Sequence, residues 1–189
     1  MKIVLASLCL LFFSYSLSAQ RLKPSWGLNF SNVSSSEDVL NGKSGWQVGL
    51  GVEFGGEKMY VEPGIFYTSK NLEFNQGSSP NIQVEFPELK GIRIPLNLGM
   101  YLVGNSESSV AWRAFGGPSV FFLLDQKDFG DELQSTNWGV FAGTGLNISF
   151  LFIDLSYEWS VTNISTQFAS IDFGRTNGFF ANAGFRLKL

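Results

Sequence analysis

LFIDLSYEWSV, residues 151–161, alternates without interruption: Leu151, Ile153, Leu155, Tyr157, Trp159 and Val161 against Phe152, Asp154, Ser156, Glu158 and Ser160. Successive side chains of a β-strand point to opposite faces, so the stretch reads as a strand with one apolar face and one face bearing two carboxylates. The 3.6-residue period of a helix is weak here and along the rest of the chain, while the period of two recurs.

Seven further segments share it: SWGLNFSN (25–32), WQVGLGVEF (46–54), MYVEPGIFYT (59–68), GIRIPLNLGMYL (91–102), VAWRAFGGPSVFF (110–122), NWGVFAGTGLNI (137–148) and FFANAGFRLKL (179–189). The links alternate in length. Those at 33–45, 69–90, 123–136 and 162–178 are long, and those at 55–58, 103–109 and 149–150 are short. Eight antiparallel strands with long loops at one end and short turns at the other describe an up-and-down transmembrane β-barrel. An even strand count brings both termini to the short-turn side, which is the periplasm in such a barrel. Pro63, Pro95 and Pro118 lack the N–H and imply bulges or non-bonding positions.

A soluble, lipocalin-like barrel would share the alternation but turn its apolar face inward. Three observations favour lipid outside. The polar face is crowded with glycine (Gly49, Gly51, Gly99, Gly139, Gly143, Gly145), which suits the narrow interior of an eight-stranded barrel. All five tryptophans fall on the apolar face near strand ends, as interface girdles require. Trp46, Trp138 and Trp159, with Tyr67, are expected at the outer boundary, and Trp26 and Trp112 at the periplasmic one. Charged residues make up 15 % of the chain, against ~25 % in soluble domains. Tyr60, Phe66, Tyr101, Phe115, Phe141, Phe152 and Phe180 fall on the inward parity, where they fill a sealed lumen or stand above the membrane.

The N-terminus reads as a secretory signal: Lys2, an apolar run VLASLCLLFF (4–13), then SYSLSAQ. Cleavage after Ala19 divides the chain into a signal peptide, 1–19, and a barrel domain, 20–189. The run is too short for a membrane-spanning helix, which needs ~20 apolar residues. Cys9 is the one cysteine and leaves with it, so the mature chain holds no disulfide or thiolate. The chain also has no His, which excludes His-based catalysis and His-ligated metals. With Lys2 removed the net charge is −4, one below the −3 of the whole chain, and no basic footprint points to nucleic acid.

The inward parity carries Glu53, Glu62, Asp154 and Glu158 against Arg93, Arg113, Arg186 and Lys188. Buried charges need partners. A structural ion-pair network is therefore expected to pack the lumen, with Arg186 meeting Asp154 or Glu158 on the neighbouring strand. No catalytic residue, metal site or cofactor is expected.

The ordered segments WGLNFSN, GWQVGLGVEF, YVEPGIFYTSKN, LKGIRIPLNLGMYL, FAGTGLNISF, LSYEWSVTNI and GFFANAGFRLKL resemble the PorT-like outer-membrane β-barrel family of Bacteroidetes over nearly all of residues 25–189. The resemblance implies an eight-stranded outer-membrane barrel without a catalytic signature. PorT itself is linked to type IX secretion and gliding, a role that does not transfer with the fold. One departure is the C-terminus, which ends in Leu189 where many such barrels end in an aromatic residue. The sequence therefore leads to a monomeric, non-enzymatic protein of the bacterial outer membrane. It would act as an envelope scaffold or a loop-mediated binder, with lipid around it and envelope or secretion proteins as loop partners. The alternatives are a secretion accessory and a narrow ion or solute channel.

Overall fold

The computed structural model describes residues 21–34, 39–40, 43–71, 89–124, 136–161 and 175–189. The expected signal peptide lies outside them, as does most of the four long links. Eight long strands form: β1 (Arg21–Ser34), β3 (Lys43–Gly55), β4 (Met59–Asn71), β5 (Leu89–Val103), β6 (Val110–Leu123), β7 (Thr136–Ile148), β8 (Leu151–Ser160) and β9 (Arg175–Phe185). Two-residue strands β2 (Val39–Leu40) and β10 (Leu187–Lys188) add to β1. Each long strand pairs antiparallel with the next, and β1 pairs with β9, so the sheet closes. Closure leaves no edge, which lipid would not tolerate because it offers no hydrogen bonds to a free backbone group.

The three prolines leave gaps rather than bulges. Pairing skips Pro63 between β3 and β4, Pro95 between β4 and β5, and Pro118 between β5 and β6, and the register is the same on both sides of each gap. The register shifts lie elsewhere, at Lys43/Trp46 and Tyr101/Val103. Between β7 and β8 the turn is two residues long, and Ser149 takes a left-handed φ of 55° there, the backbone a tight hairpin asks for.

Stagger sets the barrel's height. From Trp112 the paired residues run through Leu146, Ile153, Ala183, Trp26, Val48, Tyr67 and Ile92, and return to β6 at Phe122. The return point is ten residues along the strand. With a rise of ~3.3 Å per residue and a tilt of 35–45°, ten residues span about 25 Å along the axis, the height of an outer-membrane apolar band. Trp46, Tyr67, Phe122, Trp138, Trp159, Phe179 and Phe30 face outward near the upper level, and Trp46 touches Tyr67 at 5.7 Å between ring centroids. Trp112, with the stacked pair Phe150 and Phe185, faces outward near the lower. Trp26 corrects the sequence reading. It lies four of eight steps up the ladder from Trp112, midway between the levels rather than at the periplasmic one.

Candidate functional site

The inward face is the one place where charged and aromatic side chains converge. At the end that carries the short turns, Arg113 is fully buried. Its Nη2 donates to Asp154 (2.5 Å), its Nη1 to the Tyr60 hydroxyl (3.0 Å), and its Nε to Asn147 (3.1 Å), while Glu62 lies at 3.6 Å. Lys23 is as deeply buried and donates to Glu62 (2.5 Å), with Glu53 at 3.9 Å and Asp154 at 4.0 Å. Glu53 accepts from Arg21 (3.2 Å) and from the Tyr101 hydroxyl (2.8 Å). Four strands, β1, β3, β4 and β6, thus meet β8 across the bore.

Aromatic rings fill the space between the charges. Tyr60, Phe66, Tyr101, Phe115, Phe141, Phe152 and Phe180 are all buried, so the seven inward aromatics occupy the lumen instead of standing above the membrane. They fit because glycines face them. Tyr60 pairs with Gly99, Phe66 with Gly49, Phe115 with Gly143 and Phe152 with Gly184. A Cβ on Gly99 would overlap the Tyr60 ring, and one on Gly143 would come within 2.7 Å of Phe115.

At the other end of the bore, Arg93 donates Nε (2.9 Å) and Nη2 (2.5 Å) to Glu158, which also accepts from Ser119 (2.8 Å). The Arg93 guanidinium lies 4.5 Å from the Phe180 ring and 5.3 Å from Phe141. Lys70 sits over Phe121 at 4.6 Å.

The short-turn end is covered. The turn at 104–109 reaches from β5 and β6 to the seam where the chain ends meet. Arg186 donates to the Ser106 carbonyl (3.0 Å), Ser106 N–H donates to the Glu57 carbonyl (3.1 Å), and Glu107 accepts from both Arg21 and Lys188.

Of the eight charged residues expected in the network, Glu53, Glu62, Arg93, Arg113, Asp154, Glu158 and Arg186 are buried in the bore. Lys188 is not: its side chain is 64 % exposed and pairs with Glu107 at the rim, because the strand breaks at Arg186 and β10 lies at the mouth. Arg186 also misses its expected partners. The register sets Asp154 opposite Asn182 and Glu158 opposite Gly178, both farther from the turn end than Arg186. Arg186 bonds Ser106 and, at 3.4 Å, the Tyr101 hydroxyl instead.

Sequence reasoning missed Arg21, Lys23 and Lys70, because it began β1 at Ser25 and ended β4 at Thr68. The signal was present. Stepping by two from Asn29 and Gly27 leads to Lys23 and Arg21, and stepping from Phe66 and Thr68 leads to Lys70. The expected four-to-four balance thereby becomes six buried cations against four buried carboxylates among the described residues. Each of those carboxylates is bonded to or within 4.0 Å of a cation, an arrangement that fixes side chains rather than freeing them for proton transfer.

The sequence matches the family described as "Outer membrane protein beta-barrel domain" over residues 16–166. The chain belongs to that family, and it is an outer-membrane β-barrel protein. Comparison with curated proteins finds no match. Among solved structures, the fold is similar to the outer membrane protein OprG from Pseudomonas aeruginosa, with a TM-score of 0.58 at 13 % identity over 92 % of this chain and 97 % of that one. Neisserial surface protein A is also similar (TM-score 0.49, 15 % identity, 89 % and 97 % covered). So is Ail of Yersinia pestis, solved with the heparin analogue sucrose octasulfate (TM-score 0.48, 17 % identity, 90 % and 100 % covered). At these identities the likeness is one of fold alone.

Proposed function

We propose that this barrel is a non-conducting, non-enzymatic envelope protein that works from its ends, as a scaffold or as a binder through its long loops. The observation that carries this reading is the filled bore. Lys23, Arg113 and Phe180 are each at most 1 % exposed at successive levels, and the ion pairs around them cross the full width of the lumen. A bore packed in this way leaves the rim and loops as the surfaces available to a partner, and loops on a rigid scaffold commonly carry binding. In this reading both termini are periplasmic and the long links face outward, which the alternation of link lengths supports.

The decisive experiment is planar-bilayer recording of the refolded mature chain. The expected result is no steady single-channel current, and reproducible unitary conductance would overturn the reading. An epitope tag in the 72–88 link should be accessible on intact cells, while a C-terminal tag should become accessible only after the outer membrane is permeabilised. Within the family, the order of the motifs from WGLNFSN to GFFANAGFRLKL supports placing the chain beside the PorT-like barrels. A deletion strain assayed for protein secretion and surface motility tests whether a role in those processes accompanies that placement.

A further inference from the structure

We propose that Lys70 is the cationic centre of a site for one small oxyanion, a carboxylate or a phosphate, admitted from the loop end of the bore. The inference rests on the outward orientation of the long links, but not on the absence of conduction.

Charge matching along the bore leads to it. At the short-turn end the four cations Arg21, Lys23, Arg113 and Arg186 face three buried carboxylates, and Glu107 on the covering turn supplies a fourth. That end closes on itself. At the loop end the count does not close: Lys70 and Arg93 share Glu158 alone among the described residues. Glu158 is already engaged, since one of its oxygens takes both Arg93 bonds and the Ser119 bond.

Lys70 is 8 % exposed, and no described carboxylate lies within ion-pair distance of it. Its described neighbours are ring faces, Phe121 at 4.6 Å and Phe180 at 5.9 Å. Rings attract an ammonium through their quadrupoles but bring no negative charge. A buried cation in this state is stabilised by whatever anion reaches it. Lys70 is the last residue but one of β4, so its ammonium lies at the mouth rather than at mid-bore. The aromatic walls limit the guest to a small group, and the ammonium sets its charge.

The test is an NMR titration of the full mature barrel, labelled at lysine Cε and Nζ and held in an uncharged detergent. Inorganic phosphate and acetate are added separately. The expected result is a saturable shift of the Lys70 signal, identified by its loss in Lys70→Gln, with Lys58 and Lys188 at the other end unshifted. Lys70→Arg keeps the charge and should keep phosphate binding, read from broadening of the phosphate signal, which Lys70→Gln should abolish. Doping the micelle with phosphatidic acid instead of free phosphate should leave the Lys70 signal in place. A Lys70 signal blind to both anions, one already neutral at pH 7, phosphate binding undiminished in Lys70→Gln, or a shift with the phospholipid alone would each overturn the proposal. Conductance is a separate readout, so a failed site and a conducting bore give distinct results.

Discussion

Arg113 concentrates the energetics of the bore in one side chain. Asp154, Tyr60 and Asn147 all accept from it, and it is fully buried. Removing one partner of a buried pair leaves the other charge without compensation, at a cost of about 3–5 kcal/mol, whereas removing both can be nearly neutral. Arg113→Met should therefore lower stability by roughly that amount, and Arg113→Met with Asp154→Leu should recover most of it, read by urea unfolding in detergent. If the double variant is no more stable than the single one, the ion pair is not the source of the loss. Gly99 gives a steric counterpart. A Cβ there overlaps the Tyr60 ring, and overpacking of this kind costs about 1–3 kcal/mol, so Gly99→Val should lower the urea midpoint while leaving the charges intact. That Arg113 and Asp154 share a face could be read from parity. Their pairing could not, because parity gives the face of a residue and says nothing of its level. Level depends on the stagger of the closed sheet, which emerges only when all eight strands pair. The same gap in information explains why Arg186 was expected beside Asp154 and is found at Ser106.

The turn between β5 and β6 works as an element, not as a connector. Its Ser106 carbonyl, Ser106 N–H and Glu107 carboxylate reach Arg186, Glu57 and the pair Arg21 and Lys188 respectively, tying the turn to both chain ends. The hydrogen bond from Lys188, together with the Arg21 charge, holds the Glu107 carboxyl below its ordinary value of 4.5. A carboxylate depressed in the folded state adds stability above its unfolded pKa, and that stability is lost as pH falls through the folded value. The window is therefore acidic, opening near pH 4.5 and extending downward. The Glu107 side chain is 55 % exposed, so the clamp is screened and worth about 0–1 kcal/mol at most. Amide signals of Ser106 and Ser108 should move through this window in the wild-type barrel and not in Glu107→Gln, and high salt should reduce the effect. Equal movement in the variant would assign the titration to another group. The sequence showed 103–109 as a short turn, which is correct in position and length. Its reach across the mouth was not readable, because Glu107 meets residues more than 80 positions away along the chain.

At the scale of the whole molecule, closure with a ten-residue stagger ties lipid exposure to strand geometry. Two levels of outward aromatics lie about 25 Å apart, and at the lower one the Trp112 indole N–H is bonded to Thr144 Oγ1 at 2.6 Å on the outer surface. An indole that faces lipid needs such a partner or the interface. Strand-end position alone suggested that Trp26 belongs with Trp112. Yet β1 begins four residues earlier than its alternation suggested, at Arg21, and the ladder lifts each successive strand, so Trp26 stands halfway to Phe122. The difference is measurable with single-tryptophan barrels in bilayers of lipids brominated at chosen acyl depths. Bromines near the bilayer centre should quench Trp26 most, while Trp46, Trp138 and Trp159 should be quenched most by bromines near the headgroups. Trp112 should follow the shallow pattern from the opposite leaflet. If Trp26 instead shows the same depth profile as Trp112, either the stagger or the placement of the apolar band is wrong. Phe122→Trp in a tryptophan-free barrel separates the two, since ten residues of stagger put that position at the opposite interface from Trp112 on the same strand.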